Sequence, residues 1–347
     1  MKFINNYIFN FSVSRSGGGF KRLYEYARVF SRKGGAHFII HPDSYSLLSE
    51  FPNNEYHIIH QTKRKRLLND FSYLQGVVGS HGRPDLYYSY GIPIASKVAR
   101  VNWFHLSNVL PLAYSGVPMT LFDGLKMRLL GPRIKAGFKN ADVISAESEY
   151  SLGLINSGDK NLLLSVNGSD DEINHSNKVS DNIKKDIAVV MGTYQHKAIE
   201  ESYHIFKMLK RMRSSSLKLI LAGDPARVPE MIKSDPDVTV AGHLSRKELM
   251  RILSDAKFYI STTYIENSYN AASEGIFLAE ESFISNILPH LELLNGENYK
   301  ITTIPGLTRS FIHTESRLLN GANIKSWDEV VDQMVGEVRR ILNLKLN

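Results

Sequence analysis

Short apolar runs alternate with amphipathic stretches along most of this chain, and the alternation occurs twice, once on each side of a polar break. A short apolar run bounded by turn residues is a buried strand, whereas apolar residues recurring at helical spacing mark a helix that packs on one face. Strand, helix and strand in succession form a crossover unit, and a series of them implies a parallel sheet covered on both faces. The first series opens with a strand inside residues 1–11, passes Ser14-Arg15-Ser16-Gly17-Gly18-Gly19, and continues into a helix over residues 20–31. Leu23, Tyr26, Ala27 and Phe30 lie along one face of that helix, and Gly34-Gly35 closes it before a strand at residues 36–40. Further strands are expected at residues 56–59, 86–88, 98–104 and 143–146.

From Asn167 to Lys185 the chain is rich in Asn, Ser and Asp and has no apolar periodicity, which is the signature of a connection between domains. The second series then gives strands at 187–191, 217–222, 238–241 and 258–262, with helices over 198–213, 229–232 and 245–254 between them. The expected organisation is α/β: a doubly wound, Rossmann-like domain over 1–166, a linker over 167–185, and a second such domain over 186–325, facing a central cleft. A last helix over 326–347 shows Val330, Val331, Met334, Val338 and Ile341 on one face and could pack back across the linker.

At 347 residues the chain can bury cores for about two domains. It contains no cysteine, which excludes disulfides, thiolate metal sites and cysteine nucleophiles. His81, His105 and His243 show no metal-ligand spacing, so no metal is expected in the chemistry. The net charge of +7 favours an anionic partner. Asparagines interrupt the apolar start, which fits a first strand better than a signal peptide. Residues 101–122 carry no charged side chain, but Asn102, His105, Asn108, Pro111, Ser115, Gly116 and Pro118 argue against a membrane span. Lys63-Arg64-Lys65-Arg66 is one basic run. Lys126, Arg128, Arg133, Lys135 and Lys139 form another, interleaved with Leu125, Leu129, Leu130, Ile134 and Phe138. Either cluster is a solvated face or a surface for anionic lipid headgroups. Nucleic acid is disfavoured, since the runs lack aromatic interleaving and a binding motif.

The segment Glu266-Asn267-Ser268-Tyr269-Asn270-Ala271-Ala272-Ser273-Glu274 carries the most chemistry. A strand at 257–262 leads into it, Ser268 is the expected N-cap of the helix that follows, and residues 271–273 are small enough to let a ligand approach. The first amides of such a helix can hold phosphate or sugar oxygens, and two carboxylates about two turns apart could hold different hydroxyls of one ligand. The same residues could equally be a capping loop with one solvated glutamate. The Gly17–Gly19 triplet is neither a Walker loop nor a full dinucleotide fingerprint.

Taken in order, these features resemble a retaining glycosyltransferase of family 4, with the two-domain GT-B architecture and of the bacterial surface-polysaccharide type. The residues that carry the resemblance begin with Gly17-Gly18-Gly19, Asn140 to Ser145 with Ser148-Glu149, and Asn167-Gly168-Ser169-Asp170. They continue with Met191-Gly192 and Lys197, Leu219 to Gly223, Val240 to Ser245 with Glu248-Leu249, the Glu266 and Glu274 pair, and Ser285 to Glu292. The resemblance implies that Glu274 accepts hydrogen bonds from a nucleotide ribose and that Glu266 lies near the donor sugar. The backbone from Asn267 through Ser268 and Tyr269 to Asn270 would hold sugar or phosphate oxygens, while Lys197, with the amides of Gly18 and Gly19, would balance the diphosphate. His105 would contact the transferred sugar, and His243 would sit near the base. The chain departs from the pattern in two places: Thr193 to His196 stand where an arginine is usual, with His196 or Arg15 as substitutes, and no Gly-x-Pro follows Glu274. The implied activity moves a sugar from a UDP- or GDP-sugar donor to a lipid-linked glycan, without a cofactor, at the inner face of the cell membrane. The alternatives are a nucleotide-sugar epimerase of the same fold and a noncatalytic nucleotide- or glycan-binding partner.

Overall fold

The structure is a computed structural model that describes residues 6–15, 17–60, 77, 82–155, 158, 160–169, 183–321 and 324–345. The basic run at 63–66, His81 and most of the 167–185 linker lie outside the described residues. The chain divides into two compact units: residues 1–114, 122–168 and 325–347 make the first, and residues 115–121 and 169–324 the second.

In the first unit the strands are β1 (Tyr7–Asn10), β2 (His37–Ile40), β3 (Glu55–Ile58), β4 (Leu86–Tyr90), β5 (Val101–Leu106), β6 (Val143–Ala146) and β7 (Asn161–Leu164). They pair in the order β3-β2-β1-β4-β5-β6-β7, with every pairing parallel. The helices are α1 (Gly17–Arg32), α2 (Pro42–Leu48), α3 (Leu121–Phe138) and α4 (Glu149–Gly153). Strand β5 starts three residues later than expected because Asn102 Oδ1 accepts the Val98 and Ala99 amides at 2.9 and 3.2 Å and folds that stretch into a turn.

The glycine triplet is not a loop: Gly17, Gly18 and Gly19 form the first turn of α1. The reason is packing. A Cβ on Gly19 would lie 2.9 Å from the Tyr90 ring and 3.1 Å from Ser14 Oγ, so only glycine lets this turn close against the end of β4. The core between sheet and α1 is aromatic, with Phe9 stacked on Phe38 at 5.1 Å and flanked by Tyr26, Phe30 and Tyr88. The C-terminal helix belongs to this unit, and within it Trp327 meets Tyr26 edge-on at 6.3 Å. Its apolar face of Val330, Val331, Met334, Val338 and Ile341 is buried as the periodicity requires, and Ser326 with Glu329 supplies a capping box.

The strands of the second unit are β8 (Lys185–Met191), β9 (Lys218–Ala222), β10 (Val238–Gly242), β11 (Ala256–Ser261), β12 (Glu281–Ser285), β13 (Lys300–Thr303) and β14 (Ser310–Glu315). They pair as β10-β9-β8-β11-β12-β14-β13. The expectation of a parallel sheet holds from β10 to β12, but β14 pairs antiparallel with both β12 and β13. A hairpin needs no crossover helix, and residues 300–315 carry none. The helices are α5 (Ile199–Met212), α6 (Glu230–Lys233), α7 (Arg246–Asp255), α8 (Asn270–Leu278) and α9 (Leu288–Leu293), and the last helix of the chain is α10 (Trp327–Leu344). The buried core includes Ile205, Phe206, Leu209, Leu219, Leu221, Phe258 and Ile260. Helix α8 seats directly on β11, because a Cβ on Gly275 would fall 2.1 Å from the Tyr259 ring. No helix among the described residues is long and apolar enough to cross a membrane.

Candidate functional site

Both sheets carry a strand-order reversal, between β1 and β4 in the first and between β8 and β11 in the second. In open α/β sheets ligands bind outside the carboxyl ends of the strands at such reversals. The second unit places Lys197 there, on a one-turn helix after β8, and Glu266 on the loop after β11. Their side chains form an ion pair from Lys197 Nζ to Glu266 Oε1, and both are mostly buried.

Several backbone contacts lock these two loops together. Tyr264 donates its amide to His196 O at 2.8 Å. The Thr262 hydroxyl reaches Lys197 O at 3.1 Å and Ala198 O at 2.7 Å, and Thr263 Oγ1 donates to His196 O at 3.2 Å. Ala198 is the one non-glycine residue with positive φ among those described, at φ 48 and ψ 57. A left-handed alanine costs on the order of 1 kcal/mol and persists only where its surroundings enforce it. From behind, Arg309 clamps the β11 loop. It donates to Thr263 O at 3.0 Å, pairs with Glu201 at 2.5 Å and lies 3.9 Å over the Tyr264 ring, whose hydroxyl also reaches Glu201 at 2.9 Å.

The expected N-cap is corrected by one residue. Tyr269 precedes α8 with φ −114 and ψ 21, no side chain caps the helix, and Asn270 is its first residue. Ser268 therefore lies on the approach, with Asn267, and both are half-buried. Glu274 lies in the second turn of α8, 6% exposed, and pairs with Arg246 Nη1 at 2.7 Å. Arg246 is held at the start of α7, where Ser245 and Glu248 form a capping box. His243 is exposed just after β10, at the same end of the sheet but on its edge.

His196, one of the two expected substitutes for the usual arginine, is held in its neutral form by its surroundings. Burial, then Lys197 and Arg227, lower its pKa to about 4, so it is neutral near pH 7. A cation does stand nearby: Arg227 stacks 4.8 Å over Tyr194 and lines a cavity of about 260 Å³ with Thr120, Thr193, Gln195 and Glu200.

In the first unit, His105 lies next to the end of β5 and is fully buried with both ring nitrogens engaged. Its tautomer follows from its neighbours. Trp103 Nε1 can only donate, and it gives its proton to Ser145 Oγ at 2.7 Å; Ser145 then donates to His105 Nδ1 at 2.7 Å, leaving Nε2–H to donate to Glu147 Oε1 at 3.3 Å. Tyr90 OH donates to the same oxygen at 3.2 Å. Behind it lies Arg22, also fully buried, with Nε 3.7 Å from Glu147 Oε1. Its donors reach Asn167 Oδ1 at 3.0 Å, Ser165 O at 2.7 Å, Val166 O at 3.0 Å and Tyr26 OH at 3.0 Å. Burial alone opposes the Arg22 charge, but the tyrosine oxygens and Glu147 outweigh it, so the guanidinium stays ionised. Burial likewise opposes the Glu147 charge, yet the His105 hydrogen bond and Arg22 hold its pKa at about 2.

Burial, then the Arg22 charge, lower the His105 pKa to about 4. An unfolded histidine takes up its proton near its ordinary value of about 6.5, so as pH falls from there toward 4 the unfolded chain binds a proton that the folded one does not. Stability therefore drops, and the share of this drop that belongs to His105, read in the first unit, should be about 3 kcal/mol across that window. Glu147 adds only about 0.5–1 kcal/mol in that window, because its unfolded carboxyl begins to take up a proton near its ordinary value while the folded one titrates near 2. Urea unfolding at pH 7 and pH 4 checks this, and His105→Gln should flatten the slope; an unchanged slope would remove His105 as its source.

Sequence reading missed Arg22, Glu147, Arg246 and Arg309. Arg22 had a visible signal, since it lies one turn before Tyr26 and two before Phe30, a charge on the apolar stripe of α1. The other three are recognisable only through partners distant in sequence.

These paired Rossmann-like units define the GT-B fold. Solved structures share it. Sucrose-phosphate synthase from Thermosynechococcus elongatus matches with a TM-score of 0.70 at 14% identity, over 98% of this chain and 100% of that one. HepE of Anabaena, in complex with UDP and glucose, matches with a TM-score of 0.61 at 13% identity, over 96% and 99%. A trehalose-phosphate synthase (UDP-forming) from Burkholderia xenovorans, with glucose-6-phosphate bound, matches with a TM-score of 0.58 at 10% identity, over 95% and 92%. No family model matches the chain, and neither does any curated protein.

Proposed function

We propose that the chain is a retaining glycosyltransferase that moves a sugar from a nucleoside diphosphate donor to a lipid-linked glycan acceptor in surface-polysaccharide synthesis. The observation that carries this reading is the Lys197–Glu266 pair locked at the strand reversal of the second unit, with Glu274 on the helix that follows. A cation beside a carboxylate suits a sugar diphosphate: the ammonium stabilises the charge that grows on the leaving phosphate, and the carboxylate accepts a sugar hydroxyl. Glu274 would exchange Arg246 for the ribose hydroxyls, which frees Arg246 to take the place of the missing arginine, with Arg227 beside Tyr194 as a second cation. A UDP-sugar is the first donor to try, given the UDP complex of a protein with this fold. Retention comes with the resemblance in motif order, and no cofactor or metal is invoked in the transfer.

The lipid-linked acceptor draws support from α3. Its Met127, Gly131, Ile134 and Phe138 are buried, while Phe122, Leu125 and Leu129 are exposed among Lys126, Arg128, Arg133 and Lys135. Apolar side chains ringed by cations suit a membrane surface with anionic headgroups. In this reading the protein works at the inner face of the membrane.

The test is nucleotide release from a panel of UDP- and GDP-sugars, with and without anionic vesicles carrying a polyprenyl-linked glycan. Transfer to the lipid is the expected result. Conversion of the sugar without transfer would point to an epimerase, and binding without turnover to a noncatalytic partner. Glu274→Ala should weaken donor affinity roughly 10- to 100-fold, the value of about 1.5–3 kcal/mol for a hydrogen bond to a charged group, with a smaller effect on kcat. An unchanged donor KM would remove Glu274 from the site.

A further inference from the structure

We propose that the amino ends of β2 and β3 form a binding site for one divalent transition-metal ion, Zn2+ in particular, held by His37, Glu55 and His57. The argument starts from register. His37 opposes Glu55 in the parallel pair, and His57 follows two residues later. Side chains alternate across a sheet, and Phe38 packs on Phe9 and Phe30 on the α1 side, so His37, Glu55 and His57 share the opposite face. Adjacent rigid strands thus bring two imidazoles and one carboxylate together from positions that look unrelated in sequence.

The distances fit a metal. Glu55 Oε2 lies 3.1 Å from His37 Nδ1, its Oε1 lies 3.4 Å from His57 Nε2, and the three ligand atoms all fall within 4.8 Å of one another. A tetrahedral ion with arms of about 2.0–2.1 Å has ligand-to-ligand edges of about 3.3–3.4 Å. Small rotations of the Glu55 side chain, itself 58% exposed, would centre an ion between the three groups. The histidines are the more buried partners, which fixes their rings, while the exposed carboxylate leaves a way in for the ion and a position for water. Two imidazole nitrogens and one carboxylate suit Zn2+ and its neighbours in the transition series, whereas Mg2+ and Ca2+ prefer oxygen ligands alone. The site lies at the opposite end of the strands from Tyr90 and His105, on the edge of the sheet, so it is independent of the proposed transfer.

The test uses the full chain without an affinity tag, stripped with chelator, exchanged into Zn2+, desalted and analysed for bound metal. One Zn2+ per chain is expected, with a rise in the thermal midpoint that Mg2+ does not produce. Glu55→Gln and His57→Ala both lie on an edge strand, and each should weaken Zn2+ binding beyond the roughly tenfold that even outer-shell partners are worth. His313→Ala, which removes a separate histidine–carboxylate pair of 2.8 Å, should leave it unchanged. Far-UV circular dichroism of each variant establishes that it is folded. Less than stoichiometric Zn2+ on the parent chain, or equal binding by folded Glu55→Gln and His57→Ala, would overturn the site and leave Glu55 as a carboxylate beside two histidines.

Discussion

Replacing Arg22 by Met should cost the first unit about 3–5 kcal/mol, because it leaves the Glu147 carboxylate buried with its principal cation gone. For a unit of this size that corresponds to a fall of roughly 6–20 °C in its thermal midpoint. The magnitude rests on desolvation rather than on the pair itself. An ion pair formed in the interior gains little net energy, since both ions give up water, but removing one partner strands the other. Three further acceptors would be stranded with it, the carbonyls of Ser165 and Val166 and the amide oxygen of Asn167. The double variant Arg22→Met with Glu147→Gln should recover a large part of the loss, because no buried charge then remains. Urea unfolding of the parent, both single variants and the double variant closes the cycle. A cost below about 1 kcal/mol for Arg22→Met would show that Glu147 does not depend on it.

The same cluster shows what a sequence can and cannot reveal. The aromatic stripe of α1, the strands that flank it and the second alternating series were all legible, because periodicity records which face of an element is buried. The hairpin of β13 and β14 was not: its strands are short and polar on one side, and nothing local says that they pair in reverse. Among the proposed site residues, Lys197, Glu266 and Glu274 are picked out by motif order, whereas Arg246 and Arg309 are meaningful only as partners of Glu274 and of the β11 loop. The start of α1 was expected three residues late because glycine marks both flexible loops and close approaches, and here Tyr90, contributed by another strand, decides between them. His105 raises the related question of how a matched residue acts. With Nδ1 accepting from Ser145 and Nε2 donating to Glu147, it offers no nitrogen to a ligand in this geometry, and its influence would pass through Glu147 and Tyr90.

Lys197→Ala should lower kcat by about 10²–10³-fold while leaving the donor KM nearly unchanged, if the ammonium faces charge that develops only as the bond to the leaving phosphate breaks. The ammonium is paired with Glu266, on loops that fasten to each other through Thr262, Thr263 and Tyr264. That fastening, with the left-handed Ala198 held in place, means the cation need not be reorganised when the reaction occurs, which is the condition under which an electrostatic contact is worth most. Lys197→Arg keeps the charge but changes its shape and reach, so it should restore only part of the rate. A purely structural role predicts a different pattern. If Lys197 served only to hold Glu266, then Glu266→Gln would reproduce the kinetics of Lys197→Ala and the double variant would be no slower than either. Steady-state kinetics of the three variants with one UDP-sugar, alongside urea unfolding of each, separates the two roles. A Lys197→Ala enzyme with normal kcat would remove the leaving-group assignment altogether.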